Sequence, residues 1–139
     1  MRVLLLIVAI NNISGCANSY KGPVAEIVQR FEVAPNQILL VVKSKSAVYT
    51  DLFPYECDPE KCIPFYFWFV YDAEVLDVLS GNYTDKEVVF VNLQHAYFTK
   101  EVTNEWYVLI ERFANSDTIR SLNSQYYVVQ HESPFFEEE

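Results

Sequence analysis

Ile63-Pro64-Phe65-Tyr66-Phe67-Trp68-Phe69-Val70-Tyr71-Asp72-Ala73-Glu74-Val75-Leu76-Asp77-Val78-Leu79 is the densest apolar stretch of the chain. Side chains alternate across a β-strand, so Phe65, Phe67, Phe69 and Tyr71 point one way and Tyr66, Trp68 and Val70 the other. Both faces are apolar. Such a strand has no face to offer to water. One set is expected in the core, and the other beneath an N-terminal helix or in a partner's interface. Asp72 to Asp77 breaks the alternation, the pattern of a bulge that bends a long strand. Ser80-Gly81-Asn82 then makes the turn, with Gly81 supplying a positive φ.

Working outward, Ile38 to Val42 is a continuous apolar run, followed by Lys43, Lys45, Ala47 and Tyr49. It predicts a buried strand that emerges toward solvent. Before it, Val24, Ile27, Val28 and Phe31 fall at i, i+3, i+4 and i+7, which predicts a short helix opened by Pro23 and stopped by Pro35. After the turn, Glu87 to Leu93 reads as a third strand with Val88, Phe90 and Leu93 against Val89 and Val91. Trp106 to Phe113 is the fourth strand, with Trp106, Val108 and Ile110 opposite Tyr107, Leu109 and Glu111. Ser116 to Leu122 is a polar turn or single helical turn, and Gln125 to His131 is the fifth strand. Ten Tyr and ten Phe against one Met also favour sheets over helix bundles. Five strands, the second long and bent, with a long irregular connection between the third and fourth, is the order of a mainly β, five-stranded Greek-key barrel of the OB type with a short N-terminal helix.

Residues 1–15 have the layout of a cleavable export signal: Arg2, the apolar run Val3 to Ile10, then small residues Ser14 and Gly15. The run is too short to cross ~30 Å of hydrocarbon, which takes roughly 20 helical residues. Ile13-Ser14-Gly15-Cys16 resembles the lipobox of bacterial lipoproteins, in which the Cys is acylated and becomes the first mature residue. That resemblance implies a lipid anchor on Cys16 and a tether over residues 16–22. The domain then occupies 23–133, with an acidic tail at 134–139. Ala17 lacks the Asp that retains such proteins at the inner membrane, so the outer membrane of a bacterial cell envelope, facing the periplasm, is the expected site. The alternative for this segment is a buried first strand with Cys16 as a free thiol.

Cys57 and Cys62 flank Asp58-Pro59-Glu60-Lys61, a turn sequence that can bring two thiols within disulfide reach. In an oxidising compartment they are expected to pair, leaving Cys16 as the odd cysteine. A zinc site is the weaker alternative, since only His95 and His131 could complete four ligands.

Nineteen acidic residues against ten basic give a net charge of −9. This repels phosphate backbones and anionic lipids and favours a cationic protein partner. Tyr66 and Trp68 could stack bases, but only Lys43 and Lys45 supply positive charge near them, so nucleic acid is not expected. Aromatic rings on an acidic exterior suit a protein interface, which makes Tyr66 and Trp68 the candidate interaction residues. His95 and His131 could act as acid/base or metal groups beside Glu101, Glu105 or Glu132, or merely cap strand ends. No nucleophile elbow, phosphate-cradling loop or His-Glu helix motif is found. Catalysis, a cofactor, a resident metal and a small-molecule substrate are therefore not inferred.

The sequence of elements is similar to the netrin-like and metalloproteinase-inhibitor-like OB domains. Cys16, the helix around Ile27, Ile38-Leu39-Leu40-Val41-Val42-Lys43, Val78-Leu79-Ser80-Gly81, Val88-Val89-Phe90-Val91 and Trp106-Tyr107-Val108-Leu109 carry the resemblance. It implies a fold and, by analogy alone, inhibition. Those inhibitors chelate a protease's metal through the free amine of their first Cys. Acylation of Cys16 would remove that ligand, and this chain lacks the family's Cys-x-Cys opening. The expected role is a non-catalytic, lipid-anchored interaction or accessory protein; the alternative is an inhibitor of a secreted or cationic hydrolase, whose encounter opposite charge would speed.

Overall fold

The computed structural model describes residues 24–54, 61 and 63–133. The expected export signal, Cys16 with its expected tether, Cys57, Cys62 and the tail 134–139 lie outside the described residues. The elements run α1 (Val24–Phe31), β1 (Gln37–Tyr49), β2 (Phe67–Ser80), β3 (Glu87–Gln94), α2 (Lys100–Asn104), β4 (Trp106–Arg112), α3 (Ser116–Leu122) and β5 (Tyr126–Glu132). The strands close in the order β1-β2-β3-β5-β4, antiparallel except for β3 beside β5. This is a five-stranded Greek-key barrel of the OB type. The parallel closure is short, Phe90 opposite Tyr126 and Val91 opposite Tyr127. The buried Ser124 hydroxyl reinforces it by donating to the Val89 carbonyl at 3.1 Å. Among the described residues no helix is long and apolar enough to cross a membrane.

Two apolar clusters share β1 and β4. Leu40 and Val42 turn into the barrel with Phe69, Tyr71, Phe90, Trp106, Val108 and Ile110. Leu39 and Val41 turn outward with Tyr107 and Leu109, beneath Ile27 and Phe31 of α1. This explains the unbroken run Ile38 to Val42: a strand covered on both faces has no polar side. The helix therefore sits on β1 and β4 and reaches only the end of β2, at Leu79, not the face that carries Tyr66, Trp68 and Val70. It ends at Phe31, before Pro35, because Glu32 enters the left-handed region at φ 49°. Arg30 forks onto Glu132 with two contacts of 2.9 Å, tying the helix to β5. Being solvent-exposed, this pair orients more than it stabilises.

β2 bends where its pairing with β1 slips: Leu76 and Leu79 are extra residues on β2, and Lys45 on β1. Strand β2 also starts later than the apolar pattern, at Phe67, leaving Ile63 to Tyr66 outside the ladder. Proline at 64 removes a ladder donor there. On β3 the inward residues are Val88, Phe90, Asn92 and Gln94, while Leu93 faces Trp68 on the outside. The buried amides are satisfied together: the Tyr71 hydroxyl and Asn92 Nδ2 both donate to Gln94 Oε1, at 3.0 and 2.9 Å, and Gln94 Nε2 donates to the Ala96 carbonyl at 2.8 Å. The connection to β4 is not wholly irregular, since it contains α2. Ser116–Leu122 is a seven-residue helix, longer than a single turn, because Asn115 caps it by accepting from Asp117 N at 2.7 Å.

Gly81 turns β2 into β3 at φ 89°, and a Cβ there would stand 2.8 Å from the Gln37 carbonyl oxygen. Gly81→Ala is thus strained in its backbone and crowded by β1. It should cost about 2–3 kcal/mol, read as a lowered urea midpoint; a midpoint equal to wild type would mean that this approach is not maintained in solution.

Candidate functional site

β1 and β2 are joined at one end of the barrel by a connection that crosses the described residues 50–54, 61 and 63–66. Thr50 N and Oγ1 both donate to the Trp68 carbonyl, at 3.2 and 2.6 Å, and Trp68 N donates to the Leu52 carbonyl at 2.9 Å. Asp51 takes the left-handed turn at φ 63°, which Asp tolerates better than most residues. These bonds extend the ladder past the strand ends and set the rings of this connection against the barrel mouth. Tyr49 meets Phe67 and Phe69 edge to face at 5.2 and 5.5 Å, and Phe69 meets Tyr97 at 4.8 Å. The Tyr97 hydroxyl accepts from Tyr49 N at 3.3 Å, fixing the β3–β4 connection to the end of β1. Above them Phe65 stacks on His95 at 6.2 Å, with Tyr66 edge-on to the same imidazole at 6.3 Å.

These rings are wet. Phe65 and Tyr97 are 61% exposed and Tyr66 52%. Among the described residues, seven of the eleven exposed large hydrophobics belong to this end: Val48, Tyr49, Leu52, Ile63, Phe65, Tyr66 and Tyr97. Apolar side chains scattered singly over a surface need no explanation, whereas their concentration in one place marks a contact surface.

Adjoining this end is a cleft of about 410 Å³. Leu52 and Phe53 form one wall, and Phe113, Asp117, Thr118 and Ser121 the other, with Trp68 between. Trp68 is half-buried, edge-on to Phe113 at 5.8 Å, and Phe113 in turn packs on Tyr127 at 4.9 Å. At Trp68 the outer face of β2 is thus flanked by the β1–β2 and β4–β5 connections. In OB barrels this is the face that receives ligands. Beyond Trp68 it carries the opposed pairs Val70–Val91, Asp72–Val89 and Glu74–Glu87. Lys45 pairs with Glu87, and this hydrogen bond, with attraction from Asp72 and Glu74, holds its ammonium above the ordinary lysine range. The face runs from aromatic to acidic.

A second cleft, of about 310 Å³, is lined by residues including Tyr83, Asp85, Arg112 and Tyr126. Its guanidinium is engaged internally: Arg112 lies 5.1 Å from the Tyr126 ring centre and donates to the Tyr126 hydroxyl at 3.0 Å. Burial pushes Tyr83 up to about 12, so it stays a donor to the Glu87 carbonyl, at 2.8 Å.

Of the candidate residues, Tyr66 lies on the exposed aromatic end and Trp68 in the adjoining cleft. The two histidines meet rings: His95 meets Phe65 and Tyr66, and His131 packs on Phe98 and Trp106 at 5.0 and 5.5 Å with one edge open to solvent. Among the described residues no three His, Cys, Asp or Glu stand together in a way that could hold a metal ion. Desolvation pushes His131 below the usual imidazole range. The unfolded chain therefore binds this proton more tightly, and stability is full above about pH 6.5 and falls as pH drops through and below it. The fall in urea midpoint between pH 7.5 and 5.5 should be smaller in His131→Phe than in wild type. Equal falls would refute the desolvation.

Phe53, Tyr97, Phe113 and Asp117 complete the site and were not marked out by the sequence, while Phe65, read there as one of the alternating residues of the strand, lies before it and is 61% exposed. The one local signal was Asn115-Ser116-Asp117, a helix start that would have placed Asp117 in a first turn. Comparison with known proteins finds no matching protein family, no matching curated protein and no matching solved structure, so the site is read from its own residues.

Proposed function

We infer that this chain is a non-catalytic binding domain of the bacterial cell envelope. It would be held to the outer membrane by lipid on Cys16 and dock a protein partner on the aromatic end of its barrel. The observation that carries the reading is the gathering of Phe65, Tyr66, Tyr97, Tyr49 and Ile63 at that end. Tyrosine and phenylalanine bury much area for little lost side-chain freedom, and such rings anchor protein interfaces. The acidic β2–β3 face repels nucleic acid where OB barrels usually stack it.

Phe65→Ser with Tyr66→Ser tests the docking. Both side chains are exposed, so the fold should be kept within about 0.5 kcal/mol. The partner captured by the wild-type domain from envelope extracts should be lost, and undiminished capture would contradict the reading. Mass spectrometry of the mature N-terminus should find an acylated Cys16; an unmodified chain starting elsewhere would remove the anchor.

The acidic residues Asp72, Glu74 and Glu87 on β2 and β3 favour a second reading, inhibition of a cationic hydrolase. It requires the soluble domain to slow a basic lysozyme or protease in a salt-sensitive way, and no effect across a panel would end it.

A further inference from the structure

We propose that the cleft beside Trp68 receives an arginine side chain of the partner protein, with the guanidinium against the indole and its fork on the Asp117 carboxylate. This rests on the reading of the domain as a protein-binding module and names the chemistry it selects. Trp68, Phe53 and Phe113 line the cleft, and among the described residues Asp117 is the one charged member of its lining. On the same outer face of β2 the next residues are Val70, Asp72 and Glu74, so the strand that carries Trp68 adds carboxylates and no cation beyond the cleft.

An apolar side chain would use the rings and leave the carboxylate idle. An anion would be repelled. A guanidinium uses both, because its flat face is attracted to an indole and its parallel N–H groups match a carboxylate. Arg120 already stands 3.5 Å from Asp117, each 80% exposed, one turn apart on α3. Exposed pairs of this kind hold weakly, so an incoming arginine can displace Arg120 at small cost.

The chain's two tryptophans make the test direct. Trp106 is fully buried in the barrel, so a change in emission on titration reports Trp68. The probes are a blocked heptapeptide with arginine at three alternate positions among glycines, and the same peptide with neutral citrulline. The arginine peptide should shift the emission saturably and bind about tenfold tighter than the citrulline peptide at equal ionic strength. Asp117→Asn should weaken the arginine peptide about fivefold and leave the citrulline peptide unchanged, while Glu26→Gln, an equal loss of charge on α1, should have no such effect. Circular dichroism checks that both variants fold. Equal affinity for the two peptides, equal effects of the two variants, or no saturable change with either peptide would overturn the proposal. If the partner is still lost on Phe65→Ser with Tyr66→Ser, only the arginine chemistry has failed; if capture is also undiminished, the binding-module reading falls with it.

Discussion

Trp106→Ala is expected to cost about 3–5 kcal/mol, a large share of the 5–15 kcal/mol that holds a domain of this size. The indole is fully buried inside the barrel, with ring centres of Tyr71, Phe90 and Phe98 at 5.2, 5.7 and 5.9 Å. Its Nε1 donates to the Ser44 hydroxyl at 3.1 Å, tying β4 to β1 beyond the last paired residues, Val42 and Trp106. Removing it opens a cavity ringed by Tyr71, Phe90 and Phe98, held apart by the paired strands β2 and β3, and leaves Ser44 without that donor. Urea unfolding followed by circular dichroism reads the loss. Trp68→Ala, at a half-buried indole on the outer face, should cost clearly less. Equal losses would mean that Trp106 is not the centre of the core.

The second large effect is expected at Phe31. Its ring is buried and meets Tyr107 edge-on at 6.2 Å, over Leu39, Val41 and Leu109. An isolated helix as short as α1 has almost no stability of its own, so tertiary packing must hold it. Phe31→Ala should cost about 3–4 kcal/mol and, before global unfolding, free the amides of α1 to exchange. The barrel amides of Tyr71 and Phe90 should then stay protected at native conditions. Unchanged protection of α1 would show that the helix is held by something other than this ring.

The strands were legible because their patterns are local. Phe67 to Tyr71 alternates within a few residues, and Ile38 to Val42 announces two covered faces. What covers those faces is not local. Trp68 meets Phe113 only because β5 closes beside β3, so the outer face of β2 looked as though it needed α1 or a partner. Asn92 and Gln94 escaped notice for the same reason: an amide in a strand reads as solvent-facing until Tyr71, from another strand, is seen to share its hydrogen bonds. Leu93 was then assigned to the wrong side. At the candidate site, Tyr66 and Trp68 stood out by their density. Tyr97 and Asp117 lie in connections without periodicity, and only the closed barrel brings them beside β2.

The most direct test of the account places a photo-crosslinking amino acid at single surface positions of the full chain in the cells that make it. Adducts to one protein partner should form from positions 66 and 97, on the aromatic end, and not from positions 24 and 129, which are exposed elsewhere on the barrel and α1. Adducts that form equally from all four positions, or from 24 and 129 alone, would contradict docking on the aromatic end.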